Sequence, residues 1–546
     1  MAGRRLQERA AMAGFHGRVR AGLCSAPVLL LMAVSAWGFY LVGRERARAV
    51  ESLGRAGVEL EFGFGLELWE SDDDWPWRGL WPNRVNAEEI HEDGPLPERH
   101  SGQGGCRWAD LLLALRGLQP VWAISIPAVA EERGPVAGRE RTVGDGVLRR
   151  LRYFPENRCL VLWGSGVTDR HLDYLAGQPW LEKLDLSYTK ITDAGLARLS
   201  HLRRLRVLDL DGTELMGEGF RHLRSLKRLE VLQARLPLPR QEAVVALADL
   251  GSAVKLRRLY LTGFADVGRA LKGMQDLEVL SLFSHTISEE TLEHIGGLRC
   301  LKSLELMSPI SPRRISDDAL RHLARARSLE RLQLRWTDIR GRGLVHVCSL
   351  PRLRELWIEE ESLFKDEVPF LPTVPTLRVL VLDRLSWSIN SRPGDAVMEW
   401  VARHGFLREL SLRYMGITDE GLRKINMPRL EWLDLKGNEG ITDVGLSQLA
   451  ALPELQGLVL VGTAISDGGL KELRKFPKLE VLKLSDTRVT DAGLGYLKGL
   501  RHLKYVSLPA TQVTEQGVEQ LRKAMPPTFR AELIKRESSV TQPAVP

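Results

Sequence analysis

A chain of 546 residues, 44% hydrophobic and 27% charged, has a globular composition and is long enough for several ordinary domains or one long array. Its 77 Lys+Arg against 70 Asp+Glu leave +7, too mild an excess to argue for a nucleic-acid partner, because many arginines fall on predicted helix faces where solvated charge is the rule. Five cysteines, Cys24, Cys106, Cys159, Cys300 and Cys348, show no CxxC or Cys/His zinc spacing, and their odd number excludes a fully paired framework. A Cys106–Cys159 bridge stays open if the chain faces an oxidising compartment.

Residues 1–20 form a basic tail carrying Arg4, Arg5, Arg9, Arg18 and Arg20. Residues 21–43, AGLCSAPVLLLMAVSAWGFYLVG, are uncharged and long enough to cross a bilayer as a helix. The arginines ahead of that stretch predict a cytoplasmic N-terminus and a single-pass signal anchor, with everything after residue 43 on the non-cytoplasmic side. Cleavage near Val34-Ser35-Ala36 is the alternative, although the apolar run continues to Val42.

Residues 44–120 read as a juxtamembrane and capping region, with a short helix and strand in RARAVESLGRAGVELEFGF and an amphipathic helix in CRWADLLLALRGL. Trp69, Trp75, Trp77 and Trp81 crowd around Asp72, Asp73 and Asp74, a composition that fits packing within the cap better than contact with an anionic membrane.

From residue 121 to 527 the chain repeats itself. Leu-x-x-Leu-x-Leu appears as LEKLDL at 181, LRVLDL at 205, LEVLSL at 277, LERLQL at 329, LEWLDL at 430 and LEVLKL at 479, and successive starts lie 21 to 30 residues apart, most often 24. A helix start follows many copies: TKITDAGLARL from 189, GITDEGLRKI from 416, GITDVGLSQL from 440, AISDGGLKEL from 464 and RVTDAGLGYL from 488. Thr192 or Asp193 can cap such a helix. In the unit from 181, Leu184 and Leu186 alternate with polar residues as in a half-buried strand, while Ile191, Leu196, Leu199 and Leu202 follow helical spacing. One unit buries too little to fold alone, so about sixteen units are expected to stack and share their leucine faces. Residues 528–546 add an edge strand in TFRAELIKR and a disordered tail from Glu537.

The combined motif Leu-x-x-Leu-x-Leu-x-x-Thr-x-Ile-Thr-Asp-x-Gly-Leu-x-x-Leu resembles the leucine-rich repeat superfamily, in particular its ITDxGL class, related to the cysteine-containing and ribonuclease-inhibitor-like repeats. With the membrane segment, the chain is similar to bacterial membrane-anchored leucine-rich repeat proteins. The resemblance implies an α/β solenoid, a curved arc with parallel strands on the concave face and helices on the convex face. Ser165, Thr189, Thr213, His285, Thr337, Asn438, Thr463, Thr487 and Thr511 stand where the family has Asn or Cys after the strand, and are expected to satisfy backbone groups there.

Outward strand positions include Arg258, Tyr260, Phe283, Met307, Arg331, Arg335, Trp336, Trp357, Arg413, Tyr414 and Trp432. Exposed aromatics with arginine are the residues enriched at binding hot spots. Tyr260, Phe283, Arg335, Trp336, Trp357, Arg413, Tyr414 and Trp432 are therefore the candidate partner-binding residues, the aromatics as anchors and Arg335 and Arg413 as directed donors. Between 353 and 406 the motif is least regular, as expected of a functional stretch. His294, His322 and His346 share one helical slot, but axes about 8 to 10 Å apart cannot bring three imidazoles to one zinc, and Arg198 fills the same slot elsewhere. No metal or cofactor is expected. EFGFG lacks GK[ST], WGSGV is no nucleophile elbow and HExxH is absent; Asp185, Asp209 and Asp211 read as a solvated sheet face.

These readings predict a non-enzymatic, membrane-anchored scaffold that binds a protein, with a polysaccharide as the alternative ligand class and no nucleic acid. A ubiquitin-ligase substrate-recognition subunit of F-box type is the second reading. GPLPERHSGQGG carries the Leu-Pro of an F-box without the apolar helix that should follow.

Overall fold

The computed structural model describes residues 59–62 and 121–125 as backbone, and 145–533 apart from 285, 309–314, 338, 340, 360–370, 384–393 and 451. The predicted membrane segment 21–43, the four clustered tryptophans, the 106–118 helix, Cys106 and most of the irregular stretch lie outside the described residues. No helix among the described residues is long and apolar enough to cross a membrane. The chain divides into two compact units, residues 1–165 with 174–181, and residues 166–173 with 182–546.

In the first unit, strand Glu59–Phe62 pairs antiparallel with Val121–Ser125, which runs parallel to Cys159–Val161. Helix Asp145–Leu148 tightens into the 3-10 turn Arg149–Tyr153, and Leu151 and Phe154 are fully buried beneath it.

The second unit is a parallel sheet whose strands follow sequence order, from Lys183–Asp185 to Arg530–Glu532. Register is set by the second leucine of each motif: Leu184, Leu208, Leu232, Leu259, Leu280, Leu304, Leu332, Leu356, Leu380, Leu410, Leu433, Leu458 and Leu482 lie side by side, all fully buried. A slip of one residue would turn that whole row toward water, which is why the register holds. Ile191, Leu196, Leu199 and Leu202 close the other side of the first coil at no more than 1% exposure, as their helical spacing predicts.

The return segments are tighter than the sequence suggests. Asp193–Leu196 is one α-turn that continues as the 3-10 turn Ala197–His201, and Asp467–Leu470 passes likewise into Lys471–Lys475. A 3-10 turn gains about 2.0 Å per residue against 1.5 Å in an α-helix, so a short segment spans the return with fewer residues. The longest helix among the described residues of this unit, Gln241–Ala253, belongs to a coil of 27 residues, 229–255, where the extra chain has been taken up as helix.

Two polar devices recur from coil to coil. The hydroxyls of Thr189, Thr213, Thr463, Thr487 and Thr511 each donate to the carbonyl three residues back, at 2.5 to 2.7 Å. Asn438 does more: its amide donates to Leu412 and Leu435 carbonyls and its oxygen accepts from the Ile417 N–H. The second device corrects the reading of Thr192 and Asp193 as caps. Thr192 occupies the N-cap position without a capping bond, and its N–H (2.9 Å) and hydroxyl (2.6 Å) instead donate to Asp169 one coil earlier. Asp193 in turn accepts from the backbone of Met216, Gly217 and Gly219. Asp395, Asp419, Asp443, Asp467 and Asp491 grip Thr418, Thr442, Ser466, Thr490 and Thr514 in the same bidentate way. Thr418, Thr442, Ser466 and Thr514 cap their helices as well.

Candidate functional site on the open face of the sheet

Because strand side chains alternate, every coil that buries its leucines must present the intervening residues on the other face of the sheet. Register places Tyr260, Ser281, Glu305, Gln333, Trp357 and Val381 in one outward row, and Phe283, Met307, Arg335, Glu359 and Asp383 in the next. The candidate residues Tyr260, Phe283, Arg335, Trp336, Trp357, Arg413 and Tyr414 lie on or just beyond these outward rows, Trp432 lies in the row before the buried leucines, in register with Glu409, and the aromatic members are half-buried. Strand Val379–Asp383 separates those on or just past strands Arg258–Thr262 to Glu355–Glu359 from those on or just past Glu409–Ser411 and Trp432–Asp434.

The first group centres on Trp336, whose ring lies 6.1 Å from that of Phe283 at an interplanar angle of 54°. Phe283 and Arg335 are two strands apart with Met307 between them, so Trp336 reaches back across Met307 to make this contact. The backbone of Trp336 is left-handed, with φ 52°. This corner recurs through the array: Gly212, Gly263, Gly437 and Gly462 occupy it without a Cβ, whereas Tyr188, Trp336, Tyr414, Asp486 and Ala510 occupy it with one. A left-handed residue with a Cβ costs about 1–2 kcal/mol relative to glycine. Trp357, in the adjacent row, keeps its indole N–H buried with no acceptor among the described residues.

The second set comprises Arg413 and Tyr414, just past strand Glu409–Ser411, and Trp432, in register with Glu409 at the start of the next strand. Trp432 lies over Gly457 of the next strand, and the Tyr414 ring lies over Gly437, so closely that a Cβ on either glycine would overlap the ring. The Lys436 ammonium sits 5.7 Å from the centre of the Tyr414 ring. Burial pushes the Tyr260 phenol up to about 12, with the Arg258 charge opposing the rise.

The two arginines expected to offer free donors are engaged within the sheet. Arg335 pairs with Glu359 at 3.0 Å, and Arg413 lies between Asp434 at 2.9 Å and Asp383 at 3.5 Å. Burial works against the Arg413 charge, but Asp434 and Asp383 together hold its pKa above the usual arginine value. Burial raises the carboxyls of Glu359 and Asp383, with Arg335 and Arg413 opposing the rise. Arg331 and Glu355 form a further pair at 2.5 Å. Sequence reasoning missed the acceptors Glu359, Asp383 and Asp434, although each stands on a strand next to its arginine's and could be found by reading across the repeats.

Elsewhere on this face Asp185 and Asp209 are neighbours in register. Burial, and then the Asp185 charge, push the Asp209 carboxyl well above its ordinary range. Asp211 pairs with Arg235 at 2.8 Å. The three aligned histidines do not converge: the His294 ring bonds the Glu290 carbonyl of its own helix, and His322 bonds Glu289.

In the second unit, the stacked coils, the leucine register and the outward rows make a solenoid of short repeats. A leucine-rich repeat family profile matches residues 177–200 and 429–450, two of the segments that carry the motif. A search of curated proteins by sequence finds no match. Among solved structures, the chain is similar to a leucine-rich repeat protein of Leptospira interrogans, at 18% identity over 70% of this chain and 97% of that one, with a TM-score of 0.43. An internalin of Listeria monocytogenes matches at 18% identity over 67% and 88%, with a TM-score of 0.33. The repeat ectodomain of the Arabidopsis receptor kinase HAESA, solved with a peptide hormone, matches at 15% identity over 71% and 68%, with a TM-score of 0.39.

Proposed function

We propose that the array is a recognition scaffold that takes a protein partner on the open face of its sheet, with Phe283, Trp336 and Trp357 as the central contact and Tyr414 and Trp432 as a second. The observation that carries this reading is Trp336 at a corner where glycine serves other coils without strain: a large aromatic is held there at a cost to stability, and its ring is spent on the outward face rather than in the core. With Arg335 and Arg413 already paired, the partner meets aromatic faces set among neutralised charges, so shape and apolar burial select it rather than net charge. From the sequence alone we also propose that residues 21–43 anchor the array in a membrane.

The test is affinity capture from native membranes with wild-type chain and a Trp336→Ala/Trp357→Ala variant of equal thermal stability. A protein enriched by wild type and lost with the variant supports the assignment. Equal recovery of every captured protein by both removes it, and a variant-sensitive signal confined to a glycan array would transfer the site to a polysaccharide.

A further inference from the structure

A second surface runs along the edge of the sheet where the strands begin, independent of the open-face reading. The residue after the first leucine of each motif donates its N–H to the carbonyl of its counterpart one coil back. Arg206 donates to Glu182, Glu230 to Arg206, Arg257 to Glu230, Glu278 to Arg257, Lys302 to Glu278, Glu330 to Lys302 and Arg354 to Glu330, at 2.7 to 2.9 Å. Charge alternates at every step, and the side chains pair accordingly: Arg206 with Glu230, Arg257 and Lys302 with Glu278, Arg354 with Glu330. Past Glu431 the ladder resumes with Gln456, Glu480 and Lys504, the last two paired at 2.7 Å.

In between, Arg354, Arg378 and Arg408 follow one another on the same ladder with no acid among them. Like charges on neighbouring strands, about 4.8 Å apart, destabilise a sheet. A glutamate at 378 would have continued the alternation without a break. Arg378 donates instead to the Pro375 and Leu377 carbonyls, and its guanidinium lies 6.0 Å from the ring of Phe406, which Arg429 approaches to 5.6 Å. Neither Arg378 nor Arg429 has an ion-pair partner among the described residues. Phe406 is 56% exposed, one of the few large apolar side chains left so open among the described residues.

We propose that this edge docks a short acidic segment of a protein partner, its carboxylates received by Arg378 and, in exchange for their looser pairs with Glu330 at 3.9 Å and Glu431 at 3.5 Å, by Arg354 and Arg408, with an apolar side chain laid against Phe406. Guanidinium forks match carboxylates in pairs, and three of them on adjacent strands span roughly 10 Å, the length of about three extended residues. The surroundings select against longer polyanions. Glu330 and Glu278 on one side, Glu431 and Glu480 on the other, return the edge to mixed charge, so neither a nucleic-acid backbone nor an anionic membrane meets a continuous positive track.

The experiment uses the full chain and a fluorescein-labelled peptide of glutamates around one phenylalanine, with anisotropy read at about 50 mM salt, where such contacts are weakly screened. Saturable binding is expected, lost when the glutamates are replaced by glutamines. Arg378→Glu should weaken it about tenfold or more, the worth of a charge-assisted hydrogen bond. The same substitution completes the alternation, so thermal unfolding should occur no lower than in wild type, which a general folding defect cannot mimic. If Arg378→Glu unfolds, Arg408→Gln decides, since it leaves the backbone contacts of Arg378 in place. Unchanged peptide binding by the folded variant overturns the proposal, as does tighter wild-type binding to a single-stranded oligothymidine or to phosphatidylserine vesicles.

Discussion

Asp419 holds Thr442 of the following coil by two bonds, accepting its backbone N–H at 2.8 Å and its hydroxyl at 2.7 Å. The same carboxylate fills the space a Cβ would need at Gly445, so the Asp and the Gly of consecutive ITDxGL copies are one device. Gly195, Gly421, Gly493 and Gly517 meet the Asp169, Asp395, Asp467 and Asp491 carboxylates in the same way.

Removal of the carboxylate in Asp419→Ala should cost about 1–3 kcal/mol, because two donors of Thr442 lose their acceptor in a half-buried seam. Gly445→Ala alone should also destabilise, by overlap with Asp419. The double variant has room for the new methyl where the carboxylate stood, so its loss should fall short of the sum of the single losses. Urea unfolding of the four proteins measures this; strict additivity would show that the two residues do not share the space.

Trp336→Gly should leave stability within about 1 kcal/mol of wild type. The substitution releases left-handed strain of about 1–2 kcal/mol, while the lost Phe283 contact is worth about 0.5–1.5 kcal/mol beyond area burial. Partner capture, by contrast, should drop. A variant several kcal/mol less stable would make Trp336 a structural residue and withdraw it from the binding face.

The ladder of leucines was legible because its signal lies along the chain: a period of two within each strand and roughly 24 between strands, each position filled by the same residue type. The hydroxyls of Thr189, Thr213 and Thr463 were legible for the same reason, their carbonyl partners being three residues away. What escaped was chemistry that runs across coils. Thr192 and Asp193 look like a cap when read along the chain, yet their partners are 23 to 26 residues distant. Arg335 and Arg413 look like free donors until Glu359 and Asp434, on the next coil, are set beside them. The alternation from Glu182 to Arg354, and its failure at Arg378, is equally plain once the sequence is folded at its own period.

Asp209→Asn should stabilise the array at neutral pH by up to about 1 kcal/mol, the scale of a like-charge pair on adjacent strands. Asn retains an oxygen for the Asp211 N–H, which Asp209 accepts at 2.9 Å, so the turn survives the change. The folded-state carboxyl is raised, so the folded chain takes up a proton before the unfolded chain does. The advantage of the variant should therefore be full above that raised pKa and shrink as the pH falls through it. Thermal midpoints of both proteins across acid pH check this; a gap that widens on acidification would reverse the assignment.

His404 gives the opposite dependence. Only 3% exposed, it accepts the Val374 N–H on Nε2 at 3.0 Å and places Nδ1 3.1 Å from the Trp400 carbonyl, which fixes the neutral tautomer with its proton on Nδ1. Protonation of Nε2 would set two donors against each other, and burial lowers the pKa of the ring below its ordinary value although the Trp400 and Val401 carbonyls favour the charged form. The unfolded chain therefore gains a proton first as the medium acidifies, and the stability contributed by His404, full above the ordinary histidine pKa, is drawn off as the pH falls below it toward the depressed folded value. Wild-type urea midpoints should decline between about pH 7 and about pH 5. His404→Gln, with an oxygen to accept from Val374 and an amide to donate to Trp400, cannot titrate; it should begin lower than wild type and fall less steeply. Parallel pH profiles for the two proteins would mean that His404 does not carry this dependence.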